Sequence, residues 1–435
     1  MKSLCSTRNF AILLVGVSFF FIGFTSMRKA QQNPQATSAA QNALKLLTDP
    51  QAQHPSTFLQ SVGHVVQIVF SQDGSRLFVR SDEGRITVYE TNGWKKLQQW
   101  KTDRGRIFVS ADGKRLFVAG NMSNPSGYKF SHWDTDSGKR LRTWSLPVTR
   151  NLPSFQTFSS VSPDLSQVVL SRFERNTQLR KPLTHSVKAF WIVNAHTGKF
   201  SHQVAVLSSK EATLTTRWED QTLFIVGDKG MSQRFRISDW QPDSSVPAIA
   251  DSRFNADGNI LAGFQNSEVT ASSQNSKGFS RPKAELILYN VQKKSIRKLN
   301  TDLNDIRAVF PGKNSLIVHG YKKNKLATKT VVKHVVQIRT PDGQTVREEI
   351  AADRMLIDAQ WRVLAVDNFE TYYDIFRAAD GKLLCRLDKT ASPLNGNWES
   401  MELYGWMPTE FSPDGKWYVA GSESGLIRIW ALPQS

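Results

Sequence analysis

Two cysteines, Cys5 and Cys385, are too few to staple a chain of 435 residues. Cys5 precedes an apolar run and Cys385 sits in a strand-like stretch, so the folded part has no disulfide to form. Cys385 reads as a small buried apolar residue. Patterns for chemistry are equally scarce. The histidines, His54, His64, His132, His185, His196, His202, His319 and His334, never fall at the spacing of a metal pair on one helix or strand. No Gly-rich phosphate loop joins a strand to a helix, and no Gly-x-Ser-x-Gly elbow occurs. No catalytic residue, metal or cofactor is therefore assigned. Acidic charge is short too: 38 Asp and Glu face 56 Lys and Arg, a net charge of +18. Such an excess favours anionic partners.

There is one long apolar run. Lys2 and Arg8 precede it, Phe10–Phe24 carries no charge, and Arg28 and Lys29 follow Met27. Extended through Met27, the run is just long enough to span a bilayer as a helix. Small residues suited to signal cleavage, at 36–40, lie far from its end, so residues 1–30 read as an uncleaved signal anchor rather than a cleaved signal. The expectation is export, to a periplasm or cell surface, with the N-terminal segment holding the protein at a membrane. Residues 31–55, rich in Gln, Ala, Asn and Ser with Pro34, Pro50 and Pro55, read as a tether.

From Ser56 onward the chain repeats itself. The clearest copy is the last. Phe411-Ser412-Pro413-Asp414-Gly415 leads into Trp417–Gly421, a short turn holds Gly425, and Leu426–Trp430 follows. Asp-Gly suits a tight turn between strands, and the flanking runs suit strands packed on both faces. Ser71–Gly74, Ser110–Gly113, Ser162–Asp164 and Asn255–Gly258 open similar copies, and Pro311-Gly312 and Asp380-Gly381 mark two more. A weaker copy runs near 212–242, carried by Leu223–Val226 and Phe235–Ile237. Each copy supplies four strands in roughly 40–50 residues.

This unit resembles one repeat of the WD-repeat β-propeller family. The resemblance spans roughly Ser56 to Leu432 and implies an all-β fold: a single propeller, residues 56–435, of about eight four-stranded blades, or seven if the weak copy is not one. The last copy lacks its outer strand, and Thr57–Ser61 is expected to supply it and close the ring. In typical WD repeats a His, a Ser or Thr, an Asp and a Trp form a hydrogen-bonded set. Here only fragments match: Gly63-His64 with Ser81, Glu83 and Tyr89; Trp133-Asp134; Trp191; and Trp430, with Ser424 where the Asp would stand. The resemblance is thus to a divergent member, of a bacterial envelope kind.

The recurrent aspartates, Asp73, Asp112, Asp164, Asp257 and Asp414, read as turn formers rather than catalytic pairs. Four connections between second and third strands are enlarged, at 121–127, 172–188, 265–284 and 321–333. They belong to one rim and carry Arg172, Arg175, Arg180, Lys181, Lys322, Lys323 and Lys325, which would form a cationic collar for a protein partner with an acidic surface. The same charges fit solvated hairpin tips equally well. The function expected is a monomeric, non-enzymatic binding scaffold; nucleic acid is not an expected partner of an exported protein. The alternative is an envelope enzyme on a propeller, of the lactonase or quinone-dependent dehydrogenase type.

Overall fold

The structure is a computed structural model. It describes residues 52–433 except 124–125, 148–153, 176–184, 206–213, 220–221, 228–231, 237, 242–248, 255–258, 266–284, 313–314, 326–329, 351–354, 359, 361, 368–371 and 390–407. The N-terminal apolar run, most of the tether and the Asn255–Gly258 turn lie outside the described residues. The compact unit is Ala52–Ser435. Among its described residues no helix is long and apolar enough to cross a membrane.

Two short strands come first, β1 (Ala52–Gln53) and β2 (Thr57–Gln60). Sheet one then holds β3 (Val65–Phe70), β4 (Arg76–Ser81), β5 (Arg85–Glu90) and β6 (Lys96–Lys101). Sheet two holds β7 (Arg106–Val109), β8 (Arg115–Ser123), β9 (Ser126–Asp134) and β10 (Arg140–Pro147). Sheet three is β11 (Ser154–Val161), β12 (Gln167–Arg175), β13 (His185–Asn194) and β14 (Phe200–Ala205). Sheet four, the weak copy, shows three strands among the described residues: β15 (Leu214–Glu219), β16 (Thr222–Gly227) and β17 (Ser232–Arg236). Sheet five is β18 (Ala250–Phe254), β19 (Ile260–Gln265), β20 (Glu285–Asn290) and β21 (Ser295–Leu299). Sheet six is β22 (Asp305–Pro311), β23 (Leu316–Lys325), β24 (Thr330–Arg339) and β25 (Thr345–Ile350). Sheet seven is β26 (Met355–Ile357), β27 (Val363–Asp367), β28 (Tyr372–Arg377) and β29 (Leu383–Asp388). Sheet eight is β30 (Thr409–Phe411), β31 (Trp417–Gly421) and β32 (Leu426–Ala431), with β2 on its outer edge.

Within every sheet the consecutive strands pair antiparallel, as short turns require. The middle strands are apolar at nearly every position because both faces are covered: Leu77, Phe78 and Val79 are all fully buried. The core is therefore a series of interfaces. Phe78, Ile86 and Val88 of sheet one meet Ile107, Leu116 and Val118 of sheet two. Phe117 and Phe130 meet Val168 and Leu170 of sheet three. Sheets five and six, six and seven, and seven and eight are joined in the same way. Strands β15 and β18 connect sheet four to its neighbours. Val419, Ile427 and Ile429 of sheet eight pack on Val65 and Ile68 of sheet one, which closes the ring.

Closure uses the expected strand. β2 pairs antiparallel with β32, Thr57 opposite Ile429 and Gln60 opposite Leu426. One addition was not legible in the sequence. β1 lies parallel along β29, Ala52 opposite Arg386, as a fifth strand on sheet seven. The Trp430 indole N–H donates to the Gln53 carbonyl at 3.2 Å, and the Tyr89 hydroxyl to that of Gln60 at 3.1 Å. Residues 52–60 thus hold sheets seven, eight and one together.

Close approach at this seam demands glycine. A Cβ on Gly421 would lie 2.4 Å from Val65 Cγ1 and 2.7 Å from its Cβ. Gly421→Ala is expected to destabilise by roughly 1–3 kcal/mol through overpacking, read as a lower urea midpoint with an unchanged slope.

Candidate interaction rim

Strand alternation sends all hairpins between second and third strands, and all sheet-to-sheet connections, to one rim. The turns between first and second, and third and fourth, strands occupy the other. Hydrogen bonds confirm the grouping. Thr102, just after β6, donates through its N–H to the Gly84 carbonyl in the β4–β5 turn. Ser61 donates likewise to Gly425, and Asn304 to Tyr321.

On the turn rim the recurrent aspartates are committed to structure. Ser71 donates to Asp73 at 2.6 Å, Ser110 to Asp112, Ser162 to Asp164 and Ser412 to Asp414 at the same distance. The backbone N–H two residues on also donates to each carboxylate, as from Ser75 and Lys114. Hydrogen bonding from Ser110 holds Asp112 below its usual range. Burial pulls Asp73, Asp164 and Asp414 upward, and their hydrogen bonds overcome it, so these too lie low. Arginines tie neighbouring sheets here. Arg76 reaches Thr135 at 3.0 Å and Asp136 at 2.7 Å, and Arg362 pairs with buried Asp358 at 2.9 Å while donating to Pro413 O at 3.3 Å. His132, buried between sheets two and three, stacks on His196 and bonds the Ala195 carbonyl at 2.9 Å through Nε2; burial depresses it to about 4. Among the described residues no group of three or more His, Cys, Asp or Glu could hold a metal ion.

The connection rim carries the enlarged segments, and much of their length is strand. β8 runs to Ser123 and β9 starts at Ser126; β12 runs to Arg175, opposite His185; β23 runs to Lys325, opposite Thr330. Arg172 and Arg175 fall within β12, Arg172 opposite Ala189. Lys322, Lys323 and Lys325 fall within β23, opposite Lys333, Val332 and Thr330. Arg180, Lys181 and most of the 265–284 segment lie outside the described residues.

Lys322 departs from the expectation of a cation offered to a partner. Its Nζ lies 2.7 Å from Asp302 and 3.1 Å from Glu348. The amide of fully buried Gln337 donates to both carboxylates at 2.7 Å. Hydrogen bonding to Asp302 raises the Lys322 ammonium further. Asp302 itself is lowered: burial opposes, and the bonds from Gln337 and Lys322 prevail. Two carboxylates meet one ammonium, so this position adds no net positive charge. Lys129 with Asp103 at 2.9 Å, and Lys389 with Asp367, repeat the device on the same rim. Counting cations alone missed these partners. For two of them the signal was an acid in the connection: Asp103 and Asp302 each stand just before the next sheet.

Lys322→Ala is expected to cost up to about 1 kcal/mol in stability, because Asp302 and Glu348 lose their counter-charge in a partly exposed network that solvent screens. Urea denaturation reads it directly.

At three of the residues that resemble the hydrogen-bonded set of typical WD repeats, the described side chains make other contacts. His64 is exposed, with Nδ1 3.9 Å from Asp82. Trp133 donates within its own strand to Ser131 at 2.8 Å, and Trp430 is spent on the N-terminal segment.

Residues 409–431, spanning β30 to β32, match the family model described as WD domain, G-beta repeat. No curated protein matches the chain. Similar solved structures include the β-propeller domain of Cps50 (Swd1) from Myceliophteria thermophila. It is 13% identical, with a TM-score of 0.46, and the match covers 87% of this chain and 99% of that one. The computationally designed Ika8 protein is 11% identical with the same TM-score, over 88% of this chain and 100% of that one. The last sheet thus carries a repeat of the WD type, and the sheets before it are antiparallel sheets of like build that close on it as a ring.

Proposed function

We propose that this protein is an eight-bladed propeller acting as a non-enzymatic scaffold. It is exported, tethered by Phe10–Met27, and docks an acidic protein surface on its connection rim. The observation that carries the reading is the set of long second-to-third-strand hairpins, β8–β9, β12–β13 and β23–β24, on a rigid ring. Binding groups presented by rigid elements keep their geometry, and WD-repeat propellers are generally protein-binding platforms. The cations proposed to carry it are Arg172, Arg175, Arg180, Lys181, Lys323 and Lys325; Lys322 serves the fold.

The test reverses Arg175, Lys181, Lys323 and Lys325 to Glu and compares partners captured from native membranes with those of the unaltered chain. Loss of the same specific partners from the reversed chain, with Lys322→Ala retaining them, is the expected outcome. Unchanged capture by the reversed chain would remove the rim as the site. Protease accessibility in intact cells against spheroplasts tests the side of the membrane.

A further inference from the structure

Most large apolar side chains exposed among the described residues occupy one structural position. Leu97, Leu141, Phe200, Ile296 and Val346 are between 40% and 59% exposed. Each is the first or second residue of the outermost strand of its sheet, in sheets one, two, three, five and six. Scattered exposed apolar residues need no explanation; five at one place in five different sheets do. Leu97, Leu141 and Val346 are moreover the extra residue of a β-bulge, the register stepping from Lys96 to Gln98, Arg140 to Arg142 and Thr345 to Arg347. A bulge re-aims a side chain outward. The equivalent Leu384 of sheet seven is half-buried, and that sheet alone among those described carries an added outer strand, β1.

Cations accompany the apolar residues. Lys95 and Lys96 precede Leu97, Lys139 and Arg140 precede Leu141, Lys199 precedes Phe200, and Lys293 and Lys294 precede Ile296; all are exposed. All lie in or next to turns between third and fourth strands, at the periphery of the turn rim. Those turns are rigidly seated: a Cβ on Gly198 would meet Trp144 of the preceding sheet at 2.9 Å, and one on Gly138 would meet Trp100 at 3.4 Å. The direction of β1 supplies a separate observation. It runs parallel to β29, so at Ala52 the chain is travelling away from the turn rim.

We infer that the turn rim rests on an anionic lipid surface, inserting its peripheral apolar side chains at the headgroup level while the adjoining lysines and arginines meet lipid phosphates and carboxylates. A ring of contacts repeated from sheet to sheet fits a flat, extended surface that touches all of them together. A folded protein partner of ordinary footprint would engage two or three adjacent sheets only. Apolar residues interleaved with cations are the composition of interfacial binding. The opposite rim is left facing away from the lipid. This goes beyond the scaffold reading and needs only a membrane within reach, which the tether reading supplies.

The test uses the full chain carrying Cys5→Ser, with Cys385 buried, and an environment-sensitive fluorophore on Leu141→Cys, or on Glu423→Cys of the connection rim as control. Flotation with phosphatidylcholine vesicles reports the tether alone. A blue shift at position 141 on vesicles containing phosphatidylserine is expected, absent at position 423 and on phosphatidylcholine alone. It should need roughly tenfold or more phosphatidylserine after reversal of Lys95, Lys96, Lys139 and Arg140 to Glu. Flotation with no shift at 141 on either vesicle overturns the inference and leaves the tether standing. So does an equal shift at both positions, or a shift at 141 that appears without vesicles as protein concentration rises, which would mean copies meeting each other.

Discussion

Replacing Glu410 by glutamine raises the stability of the ring at pH 8, by between about 1 and about 3 kcal/mol. Glu410 is the middle residue of β30, opposite Val419, which in turn lies opposite Ile429. Val419 and Ile429 pack on Val65 and Ile68, so Glu410 shares the face turned to sheet one. Among the described residues no hydrogen bond or ion pair reaches its carboxylate, and burial pushes it up to about 7. Between about 4.5 and 7 the folded chain keeps a proton that the unfolded chain releases. Stability therefore falls as pH rises through that window and stays reduced above it. His132 acts in the opposite sense. Depressed to about 4 from 6.5, it contributes stability above 6.5 that is lost as pH falls toward 4. The two slopes largely offset each other in the unaltered chain. Glu410→Gln should leave only the acid-side loss, so its advantage is largest at pH 8 and vanishes near pH 4. Urea midpoints for both chains at pH 5 and pH 8 decide it; equal midpoints at pH 8 would show that the carboxylate is already ionised at no cost.

A chain shortened to begin at Ala52 is expected to unfold at the same urea concentration as the full chain, whereas one beginning at Val62 loses on the order of 5 kcal/mol. The second truncation removes β1 and β2. It strips four residues of ladder from β32, uncovers the Leu59 contact and leaves the buried Trp430 indole without its acceptor. It also removes the Ser56 hydrogen bonds to Ile429 and the Gln60 carbonyl that binds Tyr89. The exposed edge of β32 would pair with other chains, so aggregation accompanies the loss. A synthetic peptide of Ala52–Ser61 in excess should restore part of the stability by mass action. Identical midpoints for the two truncations would show that the ring closes through side-chain packing alone.

Much of this architecture is legible in the residues. Ser-x-Asp-Gly marks the turns because the Asp carboxylate bonds its own backbone and Gly takes the positive φ, and every such turn within the described residues behaves so. Thr57–Ser61 is identifiable because the last copy ends without an outer strand. Lys322 is not, since its fate depends on Asp302 and Glu348, 20 and 26 residues away, which strand pairing alone brings to its side. β1 is illegible for a related reason. A two-residue strand has no periodicity, and its partner is met only after the ring has formed. Glu410 escapes because one carboxylate in a strand reads as solvent-facing unless the neighbouring sheet is known.

The pairing of β2 with β32 also dictates the order in which the chain can become a protein. Ser56 and Ile429 are separated by 373 positions, so this contact carries one of the largest loop-closure entropies among the described residues. Neighbouring sheets can form locally as the chain emerges, each on the edge of the last. The segment that must be in place at the end is among the earliest made. Throughout synthesis it waits as a bare strand, and until β32 arrives the ring is an open arc with two unsatisfied faces. Closing it is a single late event, and until then the chain depends on whatever shields those faces.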